Sequence, residues 1–155
     1  MGVPKHISSR GLLDRSGSRR PRGWAVPFAY LWAGPTTVLG LAFALPTLLT
    51  GGGARLVDGV LELHGGLCAW FLRRAVGLTL PGGAAAMTLG HVVLGLDRAG
   101  LDRSRRHERV HVRQCERWGP FFLPAYGLAS LMAWGRGHDA YRDNRFEREA
   151  YRVGG

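Results

Sequence analysis

His107-Glu108-Arg109-Val110-His111, set in the run Arg103-Ser-Arg-Arg-His-Glu-Arg-Val-His-Val-Arg-Gln-Cys-Glu-Arg-Trp118, decides how this chain is read. It has the form H-E-x-x-H. On a helix, histidines four residues apart lie on one face, one turn above the other, so both imidazoles reach one metal ion. The glutamate beside the first histidine then sits where it can take a proton from a metal-activated water. A helix from about Ser104 to Trp118 is expected, with Asp102 or Ser104 as N-cap and Gly119-Pro120 as the stop. His107 and His111 share a stripe with Val110 and Gln114, while Arg105, Arg106, Arg109 and Arg113 supply a solvated side.

Outward from the motif, composition bounds the rest. A length of 155 residues suits one domain, or one small domain with a membrane segment. The formal charge of +10 and pI near 11.1 raise nucleic acid as a partner. That reading is discounted: of 21 basic residues only Lys5 is a lysine, and the arginines are spread over both termini and the motif region instead of one module. Cys68 and Cys115 form neither a metal-type pair nor a disulfide framework.

Residues 1–23 are basic, Ser/Gly-rich and without apolar periodicity, and are expected to form a disordered tail. Trp24 to Thr50 then runs without a charge, long enough for a transmembrane helix, which needs about 20 apolar residues. Residues 24–50 are therefore expected to be a transmembrane or membrane-associated segment. Trp24, Tyr30 and Trp32 suit an interfacial belt, and Gly34-Pro35 a kink or shallow hairpin. A signal peptide is the alternative, although no small-residue cleavage site closes the run. Gly51-Gly52-Gly53 opens a domain over 51–155. Arg55–Leu63, Leu67–Leu72 and Ala85–Leu96, divided by glycine turns and Pro81-Gly82-Gly83, are expected to be strands of a small antiparallel sheet, with a short helix over Leu67–Leu80 as the alternative. A helix over the uncharged stretch Phe121–Trp134 and another opening at Asn144 complete an α+β chain.

Beyond H-E-x-x-H, the chain carries Gln114, Trp118-Gly119-Pro120, Tyr141, Asn144, Phe146-Glu147 and Glu149-Ala150. In this the span His107–Tyr151 resembles a small group of bacterial membrane-associated, gluzincin-like zinc metalloprotease domains, whose pattern is H-E-x-x-H-x-x-Q, W-G-P and Y-x-x-N-P-F-E-x-E-A. The resemblance is close over the last third and loose over the middle. Arg145 departs from the family's proline. Tyr151 stands where broader gluzincins carry the aspartate that orients a histidine ligand, which leaves that role unassigned.

The resemblance implies a zincin-like fold and a Zn²⁺ cofactor. Its third ligand would be Glu147, the first glutamate of E-x-x-A, joining His107 and His111. Glu149, two residues on, points to a different helical face. Asn144-x-x-Glu147 is also a capping box, and on that reading Glu147 ties down a helix start. Cys115 lies eight residues from His107, about 12 Å of helix rise, too far to share its metal, and reads as a packing residue. His91 reads as a structural histidine. Tyr141 and Tyr151 are candidate hydrogen-bond donors to an oxyanion.

The implied activity is hydrolysis of peptide bonds near a membrane, with Glu108 moving the proton and a peptide or protein as substrate beside the lipid bilayer. The alternatives are a non-catalytic membrane scaffold with a zincin-like fold, or an arginine-rich binder of anionic lipid or nucleic acid. The expected location is the bacterial cytoplasmic membrane. The basic tail places the N-terminus inside, whereas the arginines of 98–117 place the motif there too, which a single span does not allow.

Overall fold

The computed structural model describes residues 25–77 and 84–155. The expected tail at 1–23, Trp24 and the Pro81-Gly82-Gly83 divider lie outside the described residues. Helices α1 (Ala25–Trp32), α2 (Gly34–Leu41) and α3 (Ala44–Leu49) lead into strands β1 (Gly53–Val57) and β2 (Val60–His64). Helix α4 (Gly66–Phe71), prolonged by a π-helical turn over Leu72–Val76, precedes β3 (Ala86–Leu89) and β4 (Val92–Gly95). The long helix α5 (Arg98–Trp118), a 3-10 turn at Gly119–Phe121, α6 (Phe122–Gly135) and α7 (Arg145–Gly154) follow.

The architecture is α+β, but two expectations are corrected. The first is the N-terminal transmembrane helix. No helix among the described residues is long and apolar enough to cross a membrane. The uncharged stretch is divided into α1, α2 and α3, each about 12 Å long or less at 1.5 Å per residue. Proline and threonine account for the divisions. Pro35 cannot donate to the preceding turn, and the hydroxyls of Thr36 and Thr37 both donate to Ala33 O at 2.9 Å. Pro46 stands in the first turn of α3, where a missing N–H costs least. Gly40 lets α2 sit directly on the sheet, since a methyl group there would come within 2.5 Å of Val92 Cβ.

The second correction concerns the sheet, which is mixed, in the order β1-β2-β4-β3. The outer pairs are antiparallel hairpins, but β2 and β4 run parallel, with Leu61 opposite Val92 and Leu63 opposite Leu94. A parallel pair needs a crossover connection, and α4 with its π-turn forms part of it. Cys68, Leu72 and Val76 recur every fourth residue and are all buried, which is a helical stripe. The β1–β2 hairpin turns at Asp58-Gly59, both with positive φ (47° and 80°), a pairing that suits two-residue turns.

Alternation along the strands builds two cores. Leu63, Leu89, Val92 and Leu94 pack with Cys68, Leu72 and Val76. Val60 and Val93 face the other way, against Leu101 and Val112 of α5. The same alternation turns Glu62 towards α5 and buries it. Arg55 Nε donates to Glu62 Oε2 at 2.7 Å, and Arg105 Nε to Oε1 at 2.9 Å. Asp102 joins Arg55 and Arg105 from outside. Burial pushes the Glu62 carboxyl up, but the hydrogen bonds from Arg105 and Arg55 outweigh it and hold the carboxyl below its usual range.

Glu62→Gln is expected to lower stability by about 2–3 kcal/mol, below the roughly 3–5 kcal/mol of a fully buried pair because both arginines keep some solvent contact. A lowered folded pKa means that the Glu62 contribution is complete above the ordinary value of 4.5 and is lost as pH falls through the folded value. The urea midpoint of the wild type should therefore fall in acid more steeply than that of the variant. Parallel pH profiles would contradict this assignment.

Candidate metal centre

Helix α5 lies between the sheet and α7 and carries the motif. It starts earlier than Asp102 or Ser104 would allow: Asp97 is its N-cap, with Oδ1 accepting from Gly100 N at 2.6 Å. Asp102 is instead committed to the arginine cluster, and the Ser104 hydroxyl donates to Gly100 O within the helix. The helix stops at Gly119, where φ is 56°.

At its centre three groups converge. His107 Nε2 lies 3.1 Å from Glu147 Oε2, His111 Nε2 lies 3.2 Å from Glu147 Oε1, and the two histidine Nε2 atoms are 3.1 Å apart. All candidate ligand atoms lie within 4.8 Å of one another. Glu147 is 2% exposed. Burial alone would raise its carboxyl, but His107, His111 and a hydrogen bond from Tyr126 reverse this and hold it at about 2. For His111, burial acts to lower the pKa and the Glu147 carboxylate outweighs it, leaving the ring above its usual range.

The donor set fits zinc, which takes imidazole nitrogen and carboxylate oxygen in its catalytic sites. Glu147 Oε2 is buried and receives no hydrogen bond, although it is close to His107. A buried carboxylate oxygen with no donor aimed at it, beside two facing imidazole nitrogens, suits a shared cation.

The start of α7 places Glu147. Asn144 Oδ1 caps the helix by accepting from Phe146 N at 2.9 Å, and its amide donates to Tyr126 O and Ser130 Oγ on α6. Phe146 then fills the space between Trp118, Phe122 and Tyr126. Only half of the capping box forms: Asn144 N bonds Tyr141 O, and Glu147 turns to the histidines.

Glu149 lies off the centre and still acts on it through Gln114. Gln114 Nε2 donates to Glu149 Oε2 at 3.0 Å and to Phe146 O at 3.1 Å. Both partners only accept, which sets the amide orientation. Gln114 Oε1 therefore accepts from His111 Nδ1 at 2.8 Å, and the Nε2 lone pair of a neutral His111 is turned to the centre. This Glu149–Gln114–His111 chain fixes the orientation of the His111 ring.

Glu108 is buried beside His107, His111 and Glu147. Its Oε2 accepts from Thr88 Oγ1 of β3 at 2.7 Å, and burial raises its pKa. Glu108, His111 and Glu147 face a cavity of about 430 Å³ whose other walls are largely apolar, including Met87, Leu89, Phe122 and Leu123. Tyr126 also faces it and donates to Glu147 Oε1 at 2.7 Å. Tyr126, unlike the expected donors Tyr141 and Tyr151, has no place in the sequence motif. A signal was present: Tyr126 and Ser130 are four residues apart, the hydroxyl-bearing positions of an otherwise apolar stretch. Tyr141 lines the cavity, while Tyr151 is half exposed with its ring 4.7 Å from that of His107.

The remaining candidates lie elsewhere. His91 sits in the β3–β4 turn, with Nε2 3.1 Å from Glu116 Oε1 and its ring stacked on Tyr30. Cys115 is fully buried with Phe122 and Phe146. Comparison with protein-family models, curated proteins and solved structures finds no match.

Gln114→Ala is expected to weaken zinc affinity about 10–100-fold, the usual cost of losing a residue that orients a ligand. Competition with a chromophoric chelator measures it, and wild-type affinity in the variant would remove Gln114 from the centre.

Proposed function

We propose that the chain is a zinc-dependent metallopeptidase of gluzincin-like type. The observation that carries this reading is the convergence of His107, His111 and Glu147 beside a buried Glu108 at the edge of an apolar cavity. When bound, zinc supplies Lewis acidity, lowering the pKa of a water and polarising a carbonyl.

The protein's own groups do the remainder. His107 and His111, one helical turn apart, would hold the metal with Glu147, and Gln114 and Tyr126 fix the orientation of the latter two. Glu108 accepts the proton of the attacking water and delivers it to the leaving amine. Burial raises its pKa above the ordinary carboxyl value, the direction that suits a group that must both take and give a proton. Thr88 holds its carboxylate in place. The cavity takes an apolar side chain of the peptide, and β3, at the edge of the sheet, offers its backbone to an extended segment.

Glu108→Gln is expected to keep stoichiometric zinc and lose turnover of a peptide library by about 10²–10⁴-fold. Metal analysis of protein purified without chelators gives the second measurement. Wild-type protein without zinc would sink the metal centre. Stoichiometric zinc with no turnover of any peptide would point to a structural, non-catalytic site.

A further inference from the structure

The outer surface of α1–α3 inverts the polarity expected of a surface helix. Ala33, Thr36, Gly40 and Thr47 face inward and are buried. The Thr47 hydroxyl lies 2.9 Å from Cys68 Sγ in the interior. Leu31, Val38, Leu45 and Leu49 face outward, Leu31 and Leu49 each 77% exposed. A helix resting on a core in water places its apolar side inward, and large apolar patches on soluble surfaces mark interaction sites. The patch continues past this segment: the Trp32 ring lies 6.3 Å from that of Phe121, itself 60% exposed at the start of α6.

The segments that carry this patch hold arginine as their charged residue. Residues 25–50, 66–77 and 118–136 contain no Asp or Glu, and their charged residues are Arg73, Arg74 and Arg136. All three are exposed. Arg73 and Arg74 follow the exposed Trp70 on the element that packs beside α3, where Phe43 and Phe71 meet at 4.9 Å. An apolar face whose own segments carry arginine and no carboxylate, with Asp58 and Glu116 lying only at its Tyr30 end, complements an anionic phospholipid surface. A second copy would set two arginine-bordered faces of a +10 chain against each other, and like charges oppose that contact.

We propose that this face docks on an anionic phospholipid bilayer, with α1–α3 lying along the interface. The leucines enter the boundary of the acyl chains, the arginines reach the phosphates, and no segment of α1–α3 crosses. Interfacial helices sink about 5–10 Å, a depth that Leu31, Val38, Leu45 and Leu49 reach from short helices. The chain is then held at the membrane surface, whatever chemistry it performs.

The test is co-sedimentation of the full chain with vesicles of phosphatidylcholine mixed with phosphatidylglycerol, and with phosphatidylcholine alone. The wild type should sediment with the mixed vesicles and several-fold less with the neutral ones. The triple variant Val38→Glu, Leu45→Glu, Leu49→Glu should bind at least about tenfold more weakly. It changes only exposed positions, so its circular dichroism and zinc content should match the wild type. Three outcomes overturn the proposal: no sedimentation of the wild type, equal sedimentation of the variant, or a wild-type dimer by ultracentrifugation that the variant abolishes without any vesicle binding. None of these readouts depends on turnover, so the proposal stands or falls apart from the peptidase reading.

Discussion

A carboxylate buried among aromatic rings has to be answered by positive charge or by hydrogen-bond donors, and Glu147 makes this demand at the centre of the molecule. His107 and His111 answer it from α5 and Tyr126 from α6. The demand fixes how three helices meet. Helix α7 must start where Asn144 can bond α6, so that Phe146 enters the aromatic cluster and Glu147 emerges one residue later facing the histidines. Removing the charge would leave the two imidazoles, 3.1 Å apart, with only each other as partners at the centre.

The sheet contributes to the same end by alternation. Facing α5, β2 presents Glu62 and β3 presents Thr88, one side chain clamping the outer arginines of the helix and the other holding Glu108. These two contacts fix α5 in rotation as well as in position. A rotation that exposed Glu62 would also move Glu108 and both histidines, so the structural ion cluster and the candidate metal centre are coupled through one rigid helix.

The uncharged N-terminal stretch shows how composition and conformation part. Apolar content alone made residues 24–50 a candidate for crossing a bilayer. The backbone divides it, because Pro35 withholds a donor and the neighbouring threonines turn their hydroxyls to Ala33 O. The same threonines seek polar partners inside the protein, which leaves the leucines outside. The apolar content remains, displayed sideways on a surface.

Much of the centre was legible in the linear chain because its logic is local. The four-residue interval of His107 and His111, the breaker Gly119-Pro120 and the cap at Asn144 each act within about two helical turns. Glu147 was legible only as one of two readings, ligand or cap, and the packing of α7 against α5 turns it to the histidines. The parallel pairing of β2 with β4 was not legible, since an apolar run such as Leu67–Leu72 suits a strand or a buried helix equally until its partners are known. Nor was the link from Glu149 through Gln114 to His111, which joins residues 35 apart in sequence. The sequence by itself determined the helical motif, its stop and the facing of its two histidines, because these depend on backbone geometry over short spans. Only the tertiary structure decided the sheet topology, the orienting residues and the side of α1–α3 left uncovered, because each depends on which distant side chains compete for the same interior.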